Sequence, residues 1–197
     1  MSSLKLCGDL EIQHQTAWKL LKRIRSAMGE RDQKHLLSGI KEFDDFYVVT
    51  PTAGEKRGRR TEKAKIFVAL SLTDDGKPRY LKMKVTGNLK KESVHKFANE
   101  SFHPDSKIKS DGYRSYLSGL EGFEHEHQVY DPEKELLHWL HITISNFKAF
   151  VGGTYHDLGK IYLQAYLDEF CFRYSCRFFH GNLLDRLAIA IATSSPC

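Results

Sequence analysis

The order of residue patterns predicts an α/β protein, a mixed sheet with helices packed on it, preceded by a helix. Three observations carry this. Strand-like segments crowd the stretch from residue 41 to 86, helical and strand-like segments alternate over 91–130, and the remainder reads as helices.

The first element is a helix over 9–29, where Ile12, Ala17, Leu20, Leu21, Ile24 and Met28 recur at helical spacing, with Asp9 as N-cap and Gly29 as C-cap. Lys41–Val49 alternates and is rich in aromatic and branched residues. Lys65–Leu72 is a compact apolar run, and Arg79–Thr86 alternates basic with apolar residues. Between the last two, Asp74-Asp75-Gly76-Lys77-Pro78 has the chemistry of a tight turn, so they form a hairpin. A helix over about 91–101, a strand near 107–110, a helix near 112–119 and a strand near 125–130 come next. Helices near 133–150, 157–175 and 181–192 follow, broken at Gly152-Gly153 and His180-Gly181.

The length of 197 residues suits one domain with a small appendage. The opening residues have no apolar stretch of the kind a signal peptide carries, and no run is apolar enough to span a membrane, so a cytoplasmic protein is expected. Cys7, Cys171, Cys176 and Cys197 form no C-x-x-C pair, which argues for reduced, partly buried thiols and against structural zinc. Most of the net charge of +5 sits between Pro51 and Lys65, where Lys56, Arg57, Arg59, Arg60, Lys63 and Lys65 face Glu55 and Glu62. Such a cluster around Gly58 suits either contact with phosphates or a solvated loop.

Three places hold chemistry. Asp44 lies inside the strand Glu42-Phe43-Asp44-Asp45-Phe46-Tyr47, on one face with Glu42, Phe46 and Val48. A carboxylate in an apolar strand needs a partner, so it is a metal ligand, a catalytic acid, a paired ion or a strand-end residue. Asp111 ends a short strand in Ser110-Asp111-Gly112-Tyr113, where open α/β folds build sites and where turns also place Asp. In the 133–150 helix, Leu137, Leu140, Ile144, Phe147 and Val151 form a core stripe. His138, His141, Ser145 and Lys148 run along the adjoining face, and His141 and Lys148 sit two turns apart.

With these residues in order, the chain resembles insertion-sequence transposases of the bacterial ISXO-like class. The matching elements are Glu-Phe-Asp44-Asp-Phe-Tyr, Ser-Asp111-Gly-Tyr, and His138-Trp-Leu-His141 continuing to Asn146-Phe-Lys148. Gln15–Met28, Gly153-Thr-Tyr-His156 and Tyr166–Tyr174 match flanking segments, so the resemblance covers about residues 9–193. Two departures stand out: Val48-Val49-Thr-Pro-Thr replaces a Gly-Gly, and Ser175-Cys176 replaces an Asn-Arg pair.

The resemblance implies a ribonuclease-H-like core over 39–197, preceded by a remnant of a helical DNA-binding region over 1–38, with a zinc ribbon missing upstream. It also implies metal-dependent DNA cleavage and strand transfer. Asp44, Asp111 and His141 would hold two Mg²⁺ or Mn²⁺ ions as a DDH set in place of DDE, with Lys148 on a DNA phosphate. The softer imidazole should favour Mn²⁺ over Mg²⁺. Transposon-end and target DNA are the implied partners, bound by a homo-oligomer. The alternatives are a catalytically silent DNA-binding remnant and a ribonuclease-H-like nuclease that cuts without joining.

Overall fold

The turn at Asp74–Lys77 sets the first register. Thr73 N–H donates to Lys77 O at 2.8 Å, and Gly76 adopts the positive φ of 71° that this turn requires. The computed structural model of the chain describes residues 1–51, 61–128, 136–155, 158–179 and 181–195. Helices α1 (Ser3–Leu10) and α2 (His14–Gln33) lead into the meander β1 (Ile40–Pro51), β2 (Thr61–Leu72) and β3 (Pro78–Thr86). Then come α3 (Lys91–Ser101), β4 (Lys107–Asp111), α4 (Arg114–Gly119) and β5 (Glu124–Gln128). Helices α5 (His138–Thr154), α6 (Lys160–Cys176) and α7 (Leu183–Ala192) complete the described fold.

The sheet order is β3-β2-β1-β4-β5, with β2 antiparallel to its neighbours and β4 and β5 parallel to β1. This is the mixed sheet with flanking helices of a ribonuclease-H-like core. Alternation sends Phe46, Ile66, Val68, Leu70, Leu81 and Met83 to one face, against Leu140, Ile144 and Phe147 of α5 and Leu163, Leu167 and Cys171 of α6. Phe43, Phe67, Ala69 and Ile108 meet Val94, Phe97 and Ala98 of α3 and Tyr116 of α4 on the other. Residues 66–70 are buried throughout because both faces of β2 are covered, which is why that run does not alternate. Each fully buried Phe or Leu here contributes about 1.5–3 kcal/mol.

The outer edge of β3 is closed by side chains of α6 and the residue after it, with no further strand. Gln164 accepts from Val85 N–H at 2.9 Å and donates to Met83 O at 3.2 Å. Ser175 Oγ accepts from Leu81 N–H, and the Arg177 guanidinium donates to the carbonyls of Pro78 and Arg79. An edge satisfied in this way offers no template to another chain.

The N-terminal segment departs from the single helix expected over 9–29. Asp9 lies in the last turn of α1, the chain reverses at Glu11 with φ 52°, and α2 begins at His14. Apolar periodicity ran through the break because Ile12 packs with Leu6, Ala17 and Leu21 across the turn. Gly29 is a buried residue inside α2, not its C-cap. A Cβ there would sit 2.6 Å from Asp168 Oδ2, so the glycine lets α2 approach α6. The 133–150 helix begins at His138 after a turn at Leu136-Leu137, with 133–135 outside the described residues. The strand expected to 130 is described only to Gln128.

Gly29→Ala tests the helix contact. Helix propensity alone would stabilise this position by about 1 kcal/mol, whereas overpacking costs about 1–3 kcal/mol. Gln164 holds Asp168 at 2.8 Å and denies it room to swing away, so a lower urea midpoint is expected. An unchanged or raised midpoint would show that α2 and α6 separate without penalty.

Candidate active site

The parallel register of β1 and β4 pairs Ile40 with Lys107, Lys41 with Ile108 and Glu42 with Lys109. Extended two residues past the paired stretch, the same register would put Asp44 level with Asp111 at the carboxyl end of β4, and the Asp111 charge acts on Asp44. Neighbours in register point to the same face, so both carboxylates rise on the side that carries α5. In each, one oxygen is held locally: Asp44 Oδ1 accepts from Asp45 N–H at 2.7 Å, and Asp111 Oδ1 accepts from Tyr113 N–H at 3.1 Å.

Helix α5 supplies the third member. His141 Nε2 stands 3.6 Å from Asp44 Oδ2, with the imidazole 59% exposed and the carboxylate 19%. Burial pushes the Asp44 carboxyl up to about 7, against a lowering by the Asp45 N–H, and the negative charges of Asp111 and Asp45 push it further. Lys148 lies two turns along α5, with Nζ 5.8 Å from the Phe46 ring centroid, beside the next residue on the Asp44 face.

The orientation of α5 depends on a residue that motif reading passed over. Glu42 is buried, and its Oε2 accepts from Leu140 N–H at 2.9 Å. Leu140 is in the first turn of α5, and Leu137, at the capping position, offers no side-chain acceptor. The strand carboxylate therefore does the work of an N-cap from across the domain. Burial raises the Glu42 pKa, while the Leu140 N–H and the charges of His138 and Lys109 lower it. Alternation along β1 put Glu42 on this face, but only the tertiary packing of α5 could reveal its partner.

Asp45 points to the opposite face, where the buried Tyr116 hydroxyl donates to Oδ1. That contact ties β1 to α4 directly after the Asp111 turn. Lys41, fully buried, donates to Gly39 O at 2.9 Å, and burial lowers its pKa to about 8. Lys63 is exposed on β2, whereas Lys56, Arg57, Arg59 and Arg60 lie outside the described residues.

Two carboxylates and an imidazole are donor types suited to a divalent cation, and burial together with the charges of Asp111 and Asp45 suppresses the ionisation of Asp44. Among the described residues no group of three histidine, cysteine or acidic side chains is already gathered as a metal cage. The donor types fit; their closure around an ion requires side-chain movement.

The fold and this constellation define a ribonuclease-H-like domain with two strand acids facing a helical histidine. The chain belongs to the ISXO2-like transposase domain family, which it matches over residues 36–175. Its fold is similar to that in "Mos1 transposase paired-end complex with left transposon end", at 12% identity and TM-score 0.44, covering 98% of this chain and 74% of that one. The Mos1 mariner paired-end complex with Mn is similar at 13% identity and TM-score 0.41, with 98% and 74% covered. The simian T-cell lymphotropic virus intasome, in complex with the PP2A regulatory subunit B56 gamma, is similar at 11% identity and TM-score 0.38, with 70% and 49% covered. No curated protein matches the sequence. No helix among the described residues is long and apolar enough to cross a membrane.

Two variants probe this electrostatic arrangement. Between the ordinary 3.8 and about 7, folded Asp44 keeps a proton that the unfolded chain has lost. The contribution of Asp44 to the stability of the metal-free protein is therefore fully present below that window and is lost as pH rises through it. Asp44→Asn should flatten the slope and raise stability at pH 8 by a few kcal/mol, at most about 4. Parallel urea-midpoint curves for the two proteins would refute this. Glu42→Ala should destabilise by about 1–3 kcal/mol by stranding the Leu140 N–H, with Glu42→Gln closer to wild type because its amide oxygen still accepts.

Proposed function

We propose that this chain is the catalytic portion of a transposase that cuts and joins DNA strands, with Asp44, Asp111 and His141 as metal ligands and Lys148 as a phosphate contact. The observation that carries the reading is the convergence of Asp44, Asp111 and His141 from three elements on one face, within a chain of the ISXO2-like transposase domain family. Asp44, Asp111 and His141 would hold divalent cations, which would supply Lewis acidity for phosphoryl transfer to water or a 3′-hydroxyl.

The residues themselves divide the task. Asp44 and Asp111 supply hard oxygen donors, and each has one oxygen already anchored to backbone. Burial, with the charges of Asp111 and Asp45, favours a protonated Asp44 in the metal-free state, and a bound cation would favour its carboxylate form. His141 approaches from the solvent side on a helix fixed by Glu42, which limits its freedom to rotation about its own side-chain torsions. Lys148, exposed on the same helix, presents a point charge to a phosphate flanking the reacting bond. Lys63 and the basic residues Lys56, Arg57, Arg59 and Arg60 extend the phosphate-binding surface in this reading.

Incubation with labelled duplexes carrying the element's ends and Mn²⁺ or Mg²⁺ tests it. Nicking and joined products should both form, with Mn²⁺ the better ion. Asp44→Ala, Asp111→Ala and His141→Ala should each reduce the rate by more than the roughly 10–100-fold that loss of an outer-shell partner costs. Hydrolysis without joining would assign a nuclease instead. DNA binding with no metal-dependent cleavage would assign a silent remnant.

A further inference from the structure

We propose that a hollow between α2 and α6 docks an unstacked DNA base. This rests on the reading of the chain as a DNA-handling enzyme, and it deepens that reading by assigning a contact for one base of the bound strand.

The hollow measures about 300 Å³ and is walled by aromatic rings. Trp18 meets Tyr162 edge-on, with centroids 5.6 Å apart, and Tyr155 meets Tyr166 at 4.4 Å. Trp18 and Tyr162 are absent from both packed faces of the sheet, and Tyr162 is 44% exposed. Core packing therefore does not account for this pair. Lys22 places its ammonium 5.7 Å from the Trp18 ring centroid and makes no ion pair among the described residues. Arg25 differs: Glu169 holds it at 2.7 Å and its guanidinium lies over the Tyr166 ring at 4.1 Å, so it builds the wall. The half-exposed Tyr162 ring, edge-on to Trp18 and with Lys22 at the rim, offers a base a ring to stack on and its phosphate a cation.

The hollow adjoins a second of about 420 Å³, lined by Val48, Val151 and Lys148, with which it shares Tyr155 and Leu158. Val48 lies on the Asp44 face of β1, four residues and about 13 Å along the strand at a rise of about 3.3 Å per residue. Lys148 lines this second hollow and stands over Phe46, two residues from Asp44. A duplex cannot enter the aromatic hollow, so the base it takes is one that has left the helix.

The experiment uses the full chain in metal-free buffer with Trp139→Phe, which leaves Trp18 as the single tryptophan. An oligothymidylate should quench Trp18 emission saturably. An abasic strand of equal length should bind at least about 10-fold more weakly and without quenching, as expected where base stacking supplies much of the affinity. Tyr162→Ala should lose most of this discrimination and Tyr162→Phe should keep it. Lys22→Ala should reduce the slope of log affinity against log salt by about 0.7, one single-strand phosphate contact. Equal affinity for the base-bearing and abasic strands would overturn the base pocket while leaving the DNA reading intact. Equal quenching by thymidine monophosphate would make it a free-nucleotide site. Emission that changes with protein concentration alone would assign the hollow to a second copy of the chain. Failure to bind either strand would overturn the pocket and the DNA reading together.

Discussion

Strand β1 runs through the middle of a five-stranded sheet and carries Glu42, Asp44 and Asp45 within four positions. Burying three carboxylates on one central strand is tolerable only if each finds a partner. Glu42 finds the N-terminus of α5, and Asp45 finds the Tyr116 hydroxyl on α4. Asp44 has a backbone N–H on one oxygen and, on the other side, only an exposed histidine at 3.6 Å and a neighbouring aspartate. The buried Glu42 and the hydroxyl-bound Asp45 anchor the helices on opposite faces, and Asp44 lies between them on the strand. Its raised pKa follows first from burial and then from the charges of Asp111 and Asp45.

Much of the architecture was legible because periodicity reports burial directly. Strands β1 to β3, the β2–β3 turn and α3 lie close to where alternation and turn chemistry put them. Asp44, Asp111 and the His141–Lys148 face stand out in the sequence by type and spacing, and the docking of α5 sets His141 beside Asp44. Tertiary partners were not legible. Nothing local distinguishes Glu42, a helix cap, from Asp45, a tyrosine acceptor, since both are acids in the same strand. The 9–29 helix misled because a turn whose apolar residue packs inward leaves the helical period unbroken, and Gly29 read as a stop signal when its role is close packing.

Helix α6 performs several tasks from different faces, and its sequence departures become intelligible in that light. Leu163 and Leu167 enter the core, Gln164 and Ser175 close the edge of β3, and Glu169 neutralises the buried Arg25 of α2. Ser175 and Cys176 stand where relatives of the resembled class carry Asn-Arg. Here Ser175 accepts the Leu81 N–H, and Cys176 packs with Met28 and Phe172. The altered pair is thus integrated into the edge and core. Arg177, the next residue, covers the carbonyls of Pro78 and Arg79 at the same edge.

The candidate site combines fixed backbone with side chains that are not yet closed, and this combination has a physical origin. Asp44 and Asp111 sit on paired strands, each with an oxygen pinned to backbone, so their Cα positions cannot drift. His141 rides on a helix whose first turn is held by Glu42 and whose stripe of Leu140, Ile144 and Phe147 is buried. Closure around a cation therefore asks for side-chain torsions alone, which are fast and inexpensive beside any movement of a packed helix. Full closure without the ion would bring an ionised Asp44 against Asp111 in a partly buried setting, and repulsion opposes it. In the proposed reading the open arrangement is the expected metal-free ground state on a scaffold already packed. Helix α5 also fixes Lys148 two turns beyond His141, which in that reading would hold a contacted strand at one register relative to the acids.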